Sequence, residues 1–438
     1  MAIDRTSDQF LLDAYTGKGG FATGDYLVAH PRESVDKHDR RKELAVYPNY
    51  CRKIVDVCMG FLWKQAPARE TDDLYSQFAE NADGAGTKLN TLLFTYQRLA
   101  MITGTVFVIV DKPASQGATA ATQALPYLAL RTKDQLVREE KDAAGNWESV
   151  TFSESLNGKT RYRTFTQTGW TLSEDAKGEL LIEQGEYDLG RVPVVRLHNA
   201  KPLEPTATSA DSFFYDLAGL CWKLYNLDSE KRELFRAQTF AILALPVADN
   251  AEREKLKTLS IGTENALTYN PTGGGRPEFI APPPDPIQLY QAEIESVVTE
   301  IYRVANLEFV GGVQQSGVAL SFHFQEANSA LAGMAEMCEM AENEIADLVY
   351  LWQGREFAGN IAYASDFNMT DLQQAINTTL DSVTLNMGAE FDKAIKKRLA
   401  KQILGNDAAP STLEAIDKEI DAQGDTYGDR LAQQAGAA

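Results

Sequence analysis

The chain has 438 residues, 44% of them hydrophobic and 24% charged, a globular composition long enough for a sizeable core and two to four structural units. Its 62 acids against 42 bases leave a net charge of -20, and a freely exposed acidic surface repels nucleic acid and anionic membrane. That argues against a sequence-reading DNA protein and a membrane-surface protein.

The N-terminus lacks the basic start and apolar run of a signal peptide, and no segment is long and apolar enough to span a membrane. Cys51, Cys58, Cys221 and Cys338 are scattered, mostly on apolar faces of predicted helices, and read as buried thiols of a reducing cytoplasm. Residues 1–44 are charge-rich, with Tyr26-Leu27-Val28 as the apolar cluster, and are expected to form a partly ordered lead-in.

Pro48 suits the first turn of a helix that carries Tyr50, Ile54, Val57 and Phe61 on one face and stops at Pro67. A second helix over 89–102 turns Leu89, Leu92, Leu93, Tyr96, Leu99 and Ala100 inward, and the two should pack together. The β-branched run 104–110 predicts a buried strand, and 127–130 a second, with a small-residue loop at 114–124 between them. Alternating segments at 147–152, 161–167 and 179–183, separated by Gly145-Asn146, Asn157-Gly158 and Lys177-Gly178, predict a meander. The run 190–198 is expected to close this sheet as an edge strand, because Pro193 bars a central position.

After a Pro/Thr/Ser/Ala linker at 199–210, Asp211 is expected to cap a helix to about 238 with Phe213, Leu217, Leu220, Leu224, Leu227 and Leu234 on one stripe. A strand at 241–246 and a turn-rich stretch to 286 predict a small β unit at the tip of a helical pair. The return helix, 287–306, carries Tyr290, Ile294, Val297, Ile301 and Val304 on one face.

A glycine-rich turn over 309–317 then opens a long helix. Leu320, Phe324, Ala327, Leu331, Met334, Cys338, Ala341, Ile345, Leu348 and Trp352 alternate spacings of four and three, the heptad form of an apolar stripe. Glu326, Glu336, Glu339, Glu342, Glu344 and Asp347 lie off the stripe with no Lys or Arg among them, so one side should be buried and the other acidic. A strand at 360–364 is expected to return to the earlier sheet. Helices follow at 371–387 and 389–404, the second basic through Lys393, Lys396, Lys397, Arg398 and Lys401, then a helix at 411–422 and an acidic tail.

Motifs for chemistry are mostly missing. Gly17-Lys18-Gly19-Gly20 lacks the spacing and preceding strand of a phosphate loop. The four histidines, His30, His38, His198 and His323, form no zinc motif, so no catalytic residue, metal or cofactor is expected. The carboxylates read as a solvated face, and the basic helix either as a charged face opposite acidic neighbours or as a DNA contact.

The order of parts resembles the portal proteins of tailed bacteriophages, the head-to-tail connectors, over residues 47–404. Three places carry the resemblance. Tyr50-x-Arg52-x-Ile54-Val55-Asp56-x-x-x-Gly60-Phe61-Leu62-x-x-x-x-Pro67 is similar to the early helix of the wing; the helix, β excursion and helix over 211–306 resemble stem, clip and returning stem. Gly311-Gly312-x-x-x-Ser316-Gly317-Val318-Ala319-Leu320 is similar to the tunnel loop and its following helix.

The resemblance implies an α+β, mainly helical protomer with long stem and wing helices, a wing sheet and a small β clip. It implies an N-terminal arm (1–44), wing (45–210), stem helix (211–238), clip (239–286), returning stem helix (287–306) and tunnel loop (307–318). A long wing helix and returning strand (319–369) and crown-like C-terminal helices with an acidic tail (370–438) complete it. The implied function is non-enzymatic: a ring, usually a homododecamer, at one capsid vertex of the virion, assembled in the host cytoplasm for DNA packaging, ejection and head-tail joining.

The implied partners are the terminase motor, a head-completion or neck adaptor protein, the major capsid and scaffolding proteins, and double-stranded DNA passing without sequence specificity. DNA would meet the tunnel loop Val310, Gly311, Gly312, Val313, Gln314, Gln315 and Ser316, which carries no charge. Partners would meet the clip turn Asn270, Thr272, Gly273, Gly274, Gly275 and Arg276. Acidic walls would suit a channel through which DNA slides without sticking. Two alternatives are another oligomeric capsid or scaffold-associated protein and a cytoplasmic enzyme with an unrecognised carboxylate site.

Overall fold

A computed structural model describes residues 3–113, 124–204, 206–239, 242–247, 266–269, 275–280, 285–307, 317–367, 391, 393–397, 400 and 410–422. The chain divides into two units, 1–365 and 366–438. The architecture is α+β.

The first unit opens with α1 (Asp8–Thr16), α2 (Gly20–Thr23) and α3 (Val35–Leu44). The lead-in expected over 1–44 is in fact packed. Phe10 and Phe21 are buried, and Phe21 stacks on Tyr47 with ring centres 4.0 Å apart. Helix α1 carries the apolar run Phe10-Leu11-Leu12, a signal that the lead-in expectation passed over, and α3 is mostly charged; Ser7 and Ser34 both accept cap hydrogen bonds, from Phe10 N–H and Lys37 N–H.

Helix α4 (Tyr50–Leu62) starts after an Asn49 cap, so Pro48 precedes it instead of occupying its first turn. Its buried face is Cys51, Ile54, Val55, Cys58, Met59 and Leu62, rotated from the face expected at Tyr50, Val57 and Phe61 because two small cysteines pack as core residues. A short strand β1 (Ala68–Glu70) and helix α5 (Asp73–Glu80, capped by Asp72) follow, neither foreseen. Helix α6 (Leu89–Thr103) meets α4 through the Trp63 indole, which donates to Gln97 at 2.6 Å.

At the end of α6, Gly104 has φ of 91°, and a Cβ there would sit 2.2 Å from the Ala210 carbonyl. Only glycine allows the linker to approach this closely. Strand β2 (Thr105–Asp111) then runs antiparallel between β3 (Tyr127–Thr132) and β9 (Val194–His198). Val106, Val108 and Val110 point into one core and Phe107 and Ile109 into another, so a period of two serves both faces.

The second core is roofed by a separate five-stranded meander: β4 (Leu136–Lys141), β5 (Trp147–Leu156), β6 (Lys159–Thr166), β7 (Gly169–Ser173) and β8 (Leu181–Glu186). The single sheet expected here is therefore two. β9 is an edge strand, as Pro193 requires, but of the three-stranded sheet, where it supplies Val194 to the second core and Val195 and Leu197 to the first.

Helix α7 (Tyr215–Thr239) leads to a small sheet of β10 (Ile242–Pro246), β11 (Ala266–Tyr269) and β12 (Glu278–Ile280), ordered β11-β10-β12, and α8 (Asp285–Val304) returns. The Ser212 hydroxyl accepts from Phe214 N–H at the start of α7, in place of the expected Asp211 cap.

Helix α9 (Gly317–Leu351) is the long helix, about 50 Å at 1.5 Å per residue. Over the described side chains the stripe holds: Ala327, Leu331, Met334, Cys338, Ala341, Ile345 and Leu348 are buried and Trp352 is half-buried, while the side chains of Leu320 and Phe324 lie outside the described residues. Its acidic side differs from expectation. Glu342 is fully buried, receiving Arg69 Nε at 2.5 Å and Nη2 at 3.1 Å, Tyr75 OH at 3.0 Å and Tyr363 OH at 2.6 Å. Burial and the Glu342 charge push both phenols well above their ordinary pKa, so they remain donors. Glu339 accepts from Tyr363 N–H, and Glu336 pairs with Lys201.

Strand β13 (Asn360–Ala362) pairs antiparallel with β1, not with the earlier sheet, and its Ile361 carbonyl accepts from Asn343 of α9 at 3.1 Å. In the second unit, residues 393–397 are helical, α10 spans Pro410–Ala422, and Lys397 pairs with Asp421 at 2.6 Å. The helix expected at 371–387 lies outside the described residues.

Removing Arg69 leaves a buried carboxylate without its counter-charge, so Arg69→Ala should lower unfolding free energy by about 3 kcal/mol. Urea unfolding checks this; equal midpoints for wild type and Arg69→Ala contradict it.

His198 gives a pH test. Its Nδ1 lies 2.9 Å from Thr105 Oγ1, and burial, then the Arg196 charge, depresses its pKa from 6.5 to about 4. The unfolded chain takes up this proton near pH 6.5 while the folded chain resists it. Stability from this group is therefore full above 6.5 and declines as pH falls towards about 4, and His198→Gln should flatten that part of the urea-midpoint profile.

Candidate functional site

The helical hairpin of α7 and α8 with its terminal sheet is buried at one end and open at the other among the described residues. Near the body the hairpin has a core: Leu217, Ala218, Cys221, Leu224 and Tyr225 of α7 and Val297, Ile301 and Tyr302 of α8 are buried. The N-terminal segment braces this half, with Tyr225 OH donating to the Phe21 carbonyl at 3.1 Å and Trp222 Nε1 to the Tyr26 carbonyl at 2.8 Å.

The distal half differs. Beyond Ser229 in α7 and before Val297 in α8, no described residue is fully buried. Side chains cross the gap there, Tyr290 OH donating to Glu230 at 2.9 Å, and nearer the body Lys223 Nζ meets Glu293 at 2.7 Å. Burial, then this contact with Glu230, raises the Tyr290 pKa, which keeps the donor protonated. Ion pairs of Arg232 and Lys231 with Asp228 run along α7 and contribute roughly 0.3–0.5 kcal/mol each.

Large apolar side chains stand in the open on the same half. Phe235 is 48% exposed, Leu289 72%, Phe279 66% and Ile280 46%. Covering these four would contribute about 1.5–3 kcal/mol each before ordering costs. The sequence carried a signal for them that the stripe argument passed over. Phe235 sits beside Leu234, and Leu289 beside Tyr290, so the apolar surface of each helix is wider than one stripe.

Of the clip turn, Gly275 is half-buried and Arg276 exposed, with the Arg276 carbonyl accepting from Tyr269 OH at 3.2 Å. Asn270, Thr272, Gly273 and Gly274 lie outside the described residues, as does the whole expected tunnel loop, Val310, Gly311, Gly312, Val313, Gln314, Gln315 and Ser316. The backbone of α9 begins at Gly317, immediately after that loop. Among the described residues there is no group of three or more His, Cys, Asp or Glu placed to hold a metal ion, and no helix long and apolar enough to cross a membrane. All four cysteines are free and buried, and burial pushes the Cys58 thiol up to about 12.

No protein-family model matches the chain, and no curated protein matches it. Solved structures do. A chain from the virion of a native gene transfer agent particle is similar at 13% identity and a TM-score of 0.45, over 94% of this chain and 99% of that one. A chain from the neck of the empty particle, computed with C6 symmetry, is similar at 11% identity and 0.45, over 84% and 90%. One from the neck of the native particle, computed with C12 symmetry, is similar at 10% identity and 0.40, over 93% and 98%.

Because Leu289 and Phe279 touch little in the single chain, Leu289→Ser and Phe279→Ser should move the unfolding free energy of the monomer by less than about 0.5 kcal/mol. Ile301→Ala, in the buried half of the hairpin, should cost about 2–5 kcal/mol. Urea titrations of the three variants separate these cases.

Proposed function

We propose that this chain is the protomer of a portal: a ring at a capsid vertex through which double-stranded DNA is packaged and ejected, and to which the tail joins. The observation that carries the reading is the helical hairpin whose two helices have no buried side chain among the described residues of their distal halves, yet which displays Phe235, Phe279, Ile280 and Leu289 at and around a small terminal sheet. A free monomer gains nothing from such a surface. A ring of copies covers it, each hairpin serving as its neighbour's missing core, and a closed rotation avoids the open filament that head-to-tail contacts otherwise build.

In this reading α7 and α8 form the stem, the sheet of β10, β11 and β12 forms the clip, and the segment 45–210 with α9 forms the wing. The tunnel loop is residues 310–316, and clip residues such as Gly275 and Arg276 meet the packaging motor and later the neck. The returning helix α8 carries Asp285, Glu293, Glu295 and Glu300 against Arg303 alone, a charge balance suited to a wall past which DNA moves without adhering. Repulsion of this kind acts only within about 8 Å at physiological salt, so it eases passage without driving it. ATP hydrolysis belongs to the motor. The loop 310–316 is uncharged and would touch DNA without reading its sequence.

The test is a charge placed in the proposed seam. Leu289→Glu and Phe279→Glu should each leave the circular dichroism spectrum unchanged and shift the assembled species to monomer in light scattering coupled to size exclusion. Assembly unaffected by both variants overturns the stem and clip as the subunit seam.

A further inference from the structure

The two edges of the five-stranded meander are treated differently. At one edge, β4 has register irregularities at both ends of its pairing with β5. Residues 206–208 lie along it: Lys141 Nζ donates to the Thr206 carbonyl at 2.9 Å and to Thr208 Oγ1 at 2.6 Å, and Thr208 in turn bonds to Glu139. That edge is partly covered by the chain itself, at Glu139 and Lys141.

The other edge, β8, pairs with β7 alone among the described residues. It opens on three consecutive large aliphatics, Leu180, Leu181 and Ile182, exposed by 58%, 51% and 46%. Tyr187 N–H donates to the Thr168 carbonyl at 3.0 Å, and the register pairs Gly169 with Glu186, Trp170 with Gly185 and Thr171 with Gln184. Because hydrogen-bonded and non-hydrogen-bonded pairs alternate in an antiparallel ladder, Gln184 and Glu186 turn their backbone N–H and C=O away from β7, towards the open side. An open edge of this kind is a template for another strand.

Charge selects the strand. Glu179, Glu183 and Glu186 flank the aliphatics with no Lys or Arg between 179 and 186, so pairing two copies of this edge gathers six carboxylates without a counter-ion. We infer that β8 is a docking edge for an extended segment of a different protein in which aliphatic residues alternate with Lys or Arg. The added strand takes backbone hydrogen bonds from Gln184 and Glu186, packs its aliphatics beside Leu181, and sets its bases against Glu183, which the register places on the opposite face.

The probe is a seven-residue peptide alternating Lys and Val with both ends blocked, titrated against the full-length protein by fluorescence anisotropy, beside the same peptide N-methylated at each valine. The parent peptide should bind saturably. N-methylation, which keeps the charge but removes donors, and Gln184→Pro, which removes an outward N–H while sparing the β7 ladder, should each weaken binding by roughly tenfold. Ile182→Lys, which removes an aliphatic and opposes the peptide's charge, should do the same and decides the matter if the proline variant unfolds. Equal binding of the N-methylated peptide, unchanged binding by folded variants, or no saturable binding of the parent overturns the proposal. Self-association that Gln184→Pro abolishes also overturns it, by assigning the edge to a second copy.

Discussion

A carboxylate with no access to water is the fixed point of this fold. Glu342 sits midway along the C-terminal half of α9, and an uncompensated charge there would cost several kcal/mol. Its donors come from three separate parts of the chain: Arg69 on β1, Tyr75 on α5 and Tyr363 just after β13. The β1–β13 ribbon can therefore lie on α9 in only one register, and α5 must follow. Around this point Val106, Val108 and Val110 of β2, Val195 and Leu197 of β9, and Leu93 and Ala100 of α6 join the α9 stripe in one core. The helix end is fixed as firmly, with Trp352 Nε1 donating to the Val110 carbonyl and Asp72 accepting from both Tyr350 and Arg355.

The sequence made the long elements legible and the polar ones obscure. The heptad stripe of α9, the β-branched run of β2, the helical pair with its small sheet, and the turn dipeptides of the meander all follow from periodicity and turn chemistry, and all are present. Periodicity could not show that Glu342 faces inward, because a solvated acid and a buried one have the same spacing. It could not show that α2 and α3 pack, since their apolar residues are few and their partners, Tyr225 for Phe21 and Ser229 for Arg41, are about two hundred residues away. Nor could it divide the strands between two sheets: β2 is apolar on every residue from Thr105 to Val110 except the first, and such a run fits a strand buried between two layers without naming either.

For the functional surface the balance was similar. The hairpin and its tip were readable as elements, but a stripe argument assumes that apolar residues face the chain's own core. Phe235, Phe279, Ile280 and Leu289 break that assumption. A second apolar face on an element that looks fully amphipathic emerges only once the chain's own burial has been accounted for.

The portal account rests on closure: a surface that one copy leaves open must be filled by the next, round to the first. Electron microscopy of the purified, full-length protein tests this most directly. The account predicts closed rings of a single rotational order, twelve in the expected case, with a central opening wide enough for a double helix. A uniform population of 48.3 kDa monomers at high concentration and physiological salt, or open filaments in place of rings, would contradict it.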